Sequence, residues 1–133
     1  MTYRYLLDTN ICIYAINQHP TQVEKKLISL GEGQCALSCI VASELAYGVT
    51  KGNRASNKSK LISFLSLFEV IPFDEKCAWH YAKLRDELES KGQVIGSLDM
   101  LIAAHALALD ATLVTNNVKE FNRVPNLKVE NWI

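Results

Sequence analysis

The chain has 133 residues, of which 49% are hydrophobic and 21% are charged; this suits one globular domain with its own core and excludes a disordered chain. Its 14 basic and 14 acidic side chains cancel, so a nucleic acid would have to bind through a local patch rather than through an overall positive charge. No stretch resembles a membrane span or a signal peptide, and we therefore expect a single domain, residues 1–133, in the cytoplasm.

Short apolar runs alternate with helical patterns along the chain. In chain order the predicted elements are a strand at Tyr3–Leu7, a helix from about Ile11, a helix from Thr21 to Gly31, a strand at Cys35–Cys39, a helix at Ile40–Val49, a polar stretch at Thr50–Lys60, a helix at Leu61–Leu67, a strand at Phe68–Phe73, a helix from Asp74 to Lys91, a helix at Leu98–Leu109, a strand at Ala111–Thr115 and an edge strand at Leu127–Trp132. Because strands alternate with helices, we expect an α/β fold: a central twisted, mainly parallel sheet of four to five strands with helices on both faces.

Two predicted helix starts carry capping signals. Thr21 and Glu24 have the spacing of a capping box. Asp74 is placed to cap the long helix that ends just before Gly92.

The cysteines and histidines lack the spacing of a zinc site, since no Cys-x-x-Cys pair occurs and the histidines are scattered. Apolar neighbours favour the interpretation of the cysteines as core residues in a reducing compartment. The four are Cys12, Cys35, Cys39 and Cys77.

Three carboxylates fall in apolar surroundings. Asp8 ends the apolar run Tyr5–Leu7, Glu44 lies within the apolar helix Ile40–Tyr47, and Asp99 opens a helix with ten apolar residues out of twelve. Burying an unpaired carboxylate is costly, and no Lys or Arg lies at helical salt-bridge spacing to Glu44 or Asp99. Each of the three therefore requires a distant partner or a function.

The predicted topology brings these acids to one rim of the sheet. Asp8 lies at the carboxyl end of the first strand, and the helices that carry Glu44 and Asp99 begin on the same side. The fourth strand runs out toward Asn117 and Glu120, which we expect at the same rim. Clustered carboxylates repel one another, and a cation that prefers oxygen ligands, Mg²⁺ or Mn²⁺, relieves that repulsion.

Phosphodiester hydrolysis is the reaction that such a site favours. We expect Asp8 and Asp99 to be the principal metal ligands, and Glu44 to be a further ligand or to orient the attacking water. Helix capping explains Asp8 or Asp99 taken alone equally well. It does not explain Glu44, so a shared site is the interpretation that covers all three.

The motifs around these acids resemble those of the PIN-domain ribonucleases, in particular the VapC toxins of bacterial VapBC toxin–antitoxin pairs. In order, and over essentially the whole chain, the matching pieces are Leu6-Leu7-Asp8-Thr9-Asn10-Ile11, Ser43-Glu44-Leu45-Ala46-Tyr47-Gly48, Gly96-Ser97-Leu98-Asp99-Met100-Leu101-Ile102-Ala103, and Thr115-Asn116-Asn117 with Glu120-Phe121. The resemblance implies a small α/β PIN fold, Mg²⁺-dependent RNA cleavage, a homodimer, and inhibition in a hetero-oligomer with a VapB-type antitoxin.

By position, Asp8, Glu44 and Asp99 match the acidic residues of that family. At the fourth position, where many members have an acid, this chain has Asn117; Glu120 is the alternative source of charge, or the site binds one metal rather than two. The Thr115-Asn116-Asn117 form with Glu120-Phe121, and the ending Glu130-Asn131-Trp132, are similar to the enterobacterial-type VapC group, which is associated with cleavage of initiator tRNA in the anticodon stem-loop. The resemblance therefore suggests tRNA as the substrate.

Several other residues leave alternatives open. The basic residues Lys51, Arg54 and Lys58 lie in a polar stretch that could hold RNA phosphates, begin a helical arm that grips an antitoxin, or form a solvated loop. Core packing is favoured for Tyr47 over stacking on a base, and for Trp79 and Trp132 over a role as base platforms. Ser43 could bond a metal-bound water or its own helix backbone.

Three rival functions remain at this point. An aspartyl-phosphate phosphatase would need a second acid two residues after Asp8, where the chain has Asn10. A non-catalytic PIN-like RNA- or protein-binding module is compatible with Asn117. A DNA-cleaving nuclease is also open, because no residue pattern reads the 2′-hydroxyl.

Overall fold

The structure, a computed structural model, describes residues 2–133, so the first residue of the predicted domain lies outside it. The described residues form five strands and seven helices: β1 Tyr5–Leu7, α1 Thr9–Asn17, α2 Thr21–Leu30, β2 Cys35–Ser38, α3 Cys39–Gly52, α4 Ala55–Leu65, β3 Val70–Ile71, α5 Glu75–Ser90, α6 Ser97–Leu109, β4 Thr112–Val114, α7 Val118–Phe121 and β5 Val129–Glu130. The predicted α/β class is confirmed.

All five strands are parallel and follow the order β3-β2-β1-β4-β5. The chain winds from β1 outward to β2 and β3, then crosses back to β4 and β5, so the winding reverses between β1 and β4. Right-handed crossovers in opposite directions put helices on both faces of the sheet. The crevice at the carboxyl ends of β1 and β4 is the switch point at which open α/β sheets bind ligands.

The core explains the apolar runs that predicted the central strands. Every residue of β1 and β2 is buried, as expected for parallel strands covered on both faces. Helix α6 packs closely against α5, and Ile102 of α6 is fully buried. Among the described residues, no helix has the length and apolar character that crossing a bilayer requires.

The predicted capping box is wrong. Pro20 holds the N-cap position of α2 in an extended conformation, so Thr21 is the first helical residue and Glu24 lies within the first turn. No side chain caps this helix. The Asp74 cap is confirmed, because its carboxylate accepts a hydrogen bond of 3.1 Å from the Cys77 amide.

The polar stretch at Thr50–Lys60 is helical rather than a loop. It covers the end of α3 and the first half of α4, and the two helices are joined at Asn53, whose φ of 54° is left-handed. The basic side chains of this stretch are exposed, and within residues 2–133 none forms an ion pair. An RNA-binding role for Lys51, Arg54 and Lys58 stays a prediction.

Two aromatic residues predicted to pack in the core are instead exposed. Tyr47 is 65% exposed and Trp79 is 70% exposed, because α3 and α5 turn other residues toward the sheet. Trp132 is buried and meets the Tyr5 ring edge-on with 5.3 Å between centroids, which confirms its packing role.

The cysteines and His105 are part of the interior. Cys12, Cys35 and Cys77 are buried and Cys39 is half-buried, all as free thiols, as predicted. Burial lowers the pKa of His105, and its Nδ1 lies 2.7 Å from the hydroxyl of Ser38. His105 is therefore engaged with Ser38 inside the core.

Candidate metal centre at the sheet switch point

Asp8 is fixed at the end of β1 by hydrogen bonds to both carboxylate oxygens. Its Oδ1 accepts from the Thr9 amide at 2.8 Å, and its Oδ2 accepts from the Thr115 hydroxyl at 2.7 Å. Burial raises the pKa of Asp8, and these two hydrogen bonds oppose the rise. Asp8 also occupies the N-cap of α1. The capping interpretation is therefore correct for Asp8, and it is compatible with a shared site.

Thr115 is a supporting residue that the sequence did not single out for a role. It is fully buried directly after β4, and its Oγ1 also accepts from the Asn117 amide at 3.0 Å. Leu7 of β1 pairs with Val114 of β4, so Asp8 and Thr115 leave the sheet at equivalent positions. A polar residue immediately after an apolar strand was the signal that could have identified Thr115.

Glu44 is half-buried on α3 and turned toward α1. Its Oε1 accepts a hydrogen bond of 2.9 Å from the hydroxyl of Thr9. The prediction of an apolar environment is wrong for part of α3, because the next turn, from Ala46 to Gly48, is exposed. Ser43 donates to the Cys39 carbonyl at 2.7 Å, which is the backbone alternative predicted for it.

The carboxylates of Glu120 and Asp99 both lie beside Gly96. Glu120 Oε1 accepts from the Gly96 amide at 2.8 Å, and Glu120 Oε2 accepts from the Asn117 side-chain amide at 2.5 Å. A Cβ added to Gly96 would lie 3.4 Å from Asp99 Oδ2 and 3.7 Å from Glu120 Oε1. The fourth carboxylate at the rim is therefore that of Glu120, and the Asn117 amide holds it in place.

Asp8, Glu44, Asp99 and Glu120 form what we call the acid cluster. Burial, a hydrogen bond to Glu120, and repulsion by Glu120, Asp8 and Glu44 raise the pKa of Asp99 to about 7. Burial opposes ionisation of Glu120 as well, but hydrogen bonds from Gly96, Asp99 and Asn117 hold the pKa of Glu120 below its usual value. The directions of the two shifts place the shared proton on Asp99 rather than on Glu120, and Asp99 loses that proton at about pH 7.

Within residues 2–133 no basic side chain forms an ion pair with the acid cluster, although the positive charge of Arg123 contributes to the lowered pKa of Glu120. The ion pairs among residues 2–133 are Arg85 with Glu89 and Lys128 with Asp110, both on the exposed surface. In the same part of the chain, no three acidic, histidine or cysteine side chains already surround a common point. The possible metal ligands are all carboxylate oxygens, and their negative charge exceeds the positive charge nearby. Such ligands suit a hard cation that keeps part of its water shell, as Mg²⁺ does.

The switch-point crevice with its acids corresponds to a known domain class. Residues 5–127 match the PIN domain family, and the chain belongs to that family. The resemblance seen in the sequence motifs is thereby confirmed.

The similar proteins narrow the class to its VapC branch. "Ribonuclease VapC2" of Rickettsia felis is 55% identical over 130 residues, which cover 96% of this chain and 97% of the relative. The "tRNA(fMet)-specific endonuclease VapC" of Shigella flexneri is 35% identical over 97% of this chain and 98% of its own length. The crystal structure of VapBC2 from Rickettsia felis bound to a DNA fragment from their promoter has a chain that superposes with a TM-score of 0.90 at 53% identity, over 97% of this chain and 98% of that one.

Proposed function

We propose that this protein is a metal-dependent endoribonuclease that uses Mg²⁺ or Mn²⁺ and serves as the toxin of a toxin–antitoxin pair. The observation that carries the proposal is the acid cluster. Four carboxylates from separate parts of the chain lie at the ligand-binding edge of the sheet, and within residues 2–133 none of them forms an ion pair. The names of the Rickettsia and Shigella relatives support RNA as the substrate.

The residues of the acid cluster have different roles in the proposed reaction. Asp8 and Asp99 are the principal ligands of the cation, with Glu120 beside Asp99 and Glu44 hydrogen-bonded to Thr9 of α1. When bound, the cation supplies the positive charge that a phosphodiester needs in order to approach four carboxylates, and it increases the acidity of water. Asp99 must release its proton before it can serve as a ligand.

We propose that Glu44 orients the attacking water. Its Oε1 is engaged by Thr9, and within residues 2–133 its Oε2 accepts no hydrogen bond. Thr9 on Glu44 and Thr115 on Asp8 hold these carboxylates in position before substrate binds. Such preorganisation lowers the reorganisation that the reaction would otherwise require.

The RNA that we propose as substrate is tRNA, with the anticodon stem-loop of the initiator tRNA as the cleaved region. Support comes from the Shigella relative, whose name specifies tRNA(fMet), and from the motif around Asn117 and Glu120. A globally neutral protein must select this RNA by local contacts and shape rather than by charge alone.

Cleavage assays test the proposal. Purified protein should cut initiator tRNA in the presence of Mg²⁺, should be inactive in EDTA, and should recover when Mg²⁺ or Mn²⁺ is added back. Elongator methionine tRNA and a DNA stem-loop of the same sequence serve as matched substrates, and we expect slower cleavage of the first and none of the second. Activity that persists in EDTA would rule out the metal, faster cleavage of the DNA would indicate a DNA nuclease, and no cleavage of any RNA would favour a binding module.

We further propose that a VapB-type antitoxin binds this protein, that the protein forms a homodimer, and that the two proteins assemble into a hetero-oligomer. Adding the purified partner to the cleavage reaction should suppress activity in proportion to the complex formed, as followed by sedimentation. Sedimentation of the protein alone should show the dimer. A complex that forms and still cuts tRNA at the full rate would contradict inhibition by this partner.

A further inference from the structure

A cleft of about 250 Å³ opens directly beside the acid cluster, between α1, α3 and α4. Thr9 and Glu44, which are joined by a hydrogen bond of 2.9 Å, are among the residues that line it. The cleft is therefore continuous with the place at which the scissile phosphate would bind, and its volume approaches the lower limit of about 300 Å³ for ligand pockets.

The walls of the cleft are apolar and only partly covered. Leu45 and Leu61 are buried behind them, Ile16 and Val49 are half-buried, and Ile13 is 39% exposed. The apolar side chains along the cleft therefore form one partly exposed surface next to a polar site. These walls would exclude a phosphate and accept a flat, weakly hydrated group.

Part of the lining of the cleft is polar and positively charged. Asn57 and Lys60, both on α4, line it and are exposed. Within the described part of the chain, their side chains form no hydrogen bond or ion pair. An amide can recognise the edge of a base, and an ammonium group can contact a phosphate on the same strand.

A glycine keeps the cleft open. Gly48 lies on α3 in the cleft wall, and a Cβ built there would meet no atom within 4 Å. A larger side chain at this position would extend into the cleft without disturbing the helix.

We propose that this cleft binds the nucleobase of the nucleotide next to the scissile phosphate, with Lys60 contacting a neighbouring phosphate. The inference rests on the proposed function, because a phosphodiester held at the acid cluster places the adjoining nucleotide at the mouth of the cleft. Apolar walls receive the faces of the base, and the Asn57 amide meets its edge. The cleft then contributes to the choice of cleavage site.

Two leucine substitutions in the same helix test this. Gly48→Leu fills the cleft, and Gly52→Leu is the control, because the Cβ of Gly52 also meets nothing within 4 Å but Gly52 does not line the cleft. Leucine favours helix at both positions. Each protein is assayed on a stem-loop RNA and on two abasic versions of the same RNA. One version lacks the base on the 5′ side of the cleaved bond, and the other lacks the base on the 3′ side.

In wild type and in Gly52→Leu, loss of one of the two flanking bases should raise KM about tenfold. Gly48→Leu should show that higher KM on the intact RNA and no further change when the base is removed. Both variants should keep the rise in melting temperature that Mg²⁺ produces, which shows that the acid cluster is intact.

Other results would overturn the inference. Cleavage by Gly48→Leu with wild-type KM and wild-type dependence on the base would do so, as would wild-type cleavage that is unaffected by the loss of either flanking base. Unchanged cleavage together with lost binding of the co-expressed antitoxin would assign the cleft to that partner instead. If wild type cuts no RNA in Mg²⁺, the proposed function itself fails, a result distinct from the others.

Discussion

Replacing Asp99 by asparagine is expected to reduce RNA cleavage by about 10³-fold while the protein stays folded. Asparagine keeps the shape of the side chain but removes the charge that the cation needs and the acid proton directed toward Glu120. The metal-free variant should melt at a higher temperature than wild type at about pH 8, because repulsion within the acid cluster is relieved. Single-turnover cleavage and thermal unfolding measure the two effects.

Asp86→Asn is the matched control for this experiment. Asp86 is an exposed acid on α5, and within residues 2–133 it forms no ion pair. Its replacement makes the same change in net charge far from the rim and should leave both rate and melting temperature close to wild type. Equal activity of Asp99→Asn and wild type would show that Asp99 is not part of the reaction centre.

The stability of the metal-free protein should fall as the pH rises from about 4 to about 7. The pKa of Asp99 in the folded protein is raised from 3.8 to about 7, so in this window the unfolded chain has already released a proton that the folded protein retains. Folding is therefore favoured at the lower pH and loses that advantage by about pH 7. Screening by solvent at the half-buried Asp99 reduces the effect to about 1–2 kcal/mol, or several degrees in melting temperature.

Chemical denaturation across this pH range measures the slope. Burial raises the pKa of Asp8 and adds in the same direction, whereas the lowered pKa of Glu120 acts mainly below the window. The slope should be smaller in Asp99→Asn and in wild type saturated with Mg²⁺. A stability that rises steadily over this window in wild type would refute the assignment of the retained proton to Asp99.

The order of the secondary structure elements was predictable because buried parallel strands consist of short runs of apolar residues. Cys35–Ser38 is such a run, and all four of its residues are buried. The ends of the strands were less predictable, because strand pairing stops where a side chain forms a different tertiary hydrogen bond. Thr115, predicted as a strand residue, lies just beyond β4 and directs its hydroxyl to Asp8.

The acids of the site were predictable because each stands in an apolar context where a charge is costly. The groups that hold them were not, because they are distant in the sequence: Thr115 lies 107 residues from Asp8, and Thr9 lies 35 residues from Glu44. The choice between Asn117 and Glu120 depended on the Gly96 amide, whose position only the folded chain defines.

Which face of a helix is buried was also beyond the sequence in places. The run around Tyr47 is apolar on most sides, so its pattern does not show that Val41 and Leu45 turn inward while Tyr47 turns outward.

Diffraction from crystals grown with Mn²⁺, measured for anomalous scattering, tests the metal site most directly. A peak of anomalous density in contact with the carboxylates of Asp8 and Asp99 is the expected result. Crystals of comparable quality that show no such peak, or an ion bound only at acids elsewhere on the surface, would contradict the account.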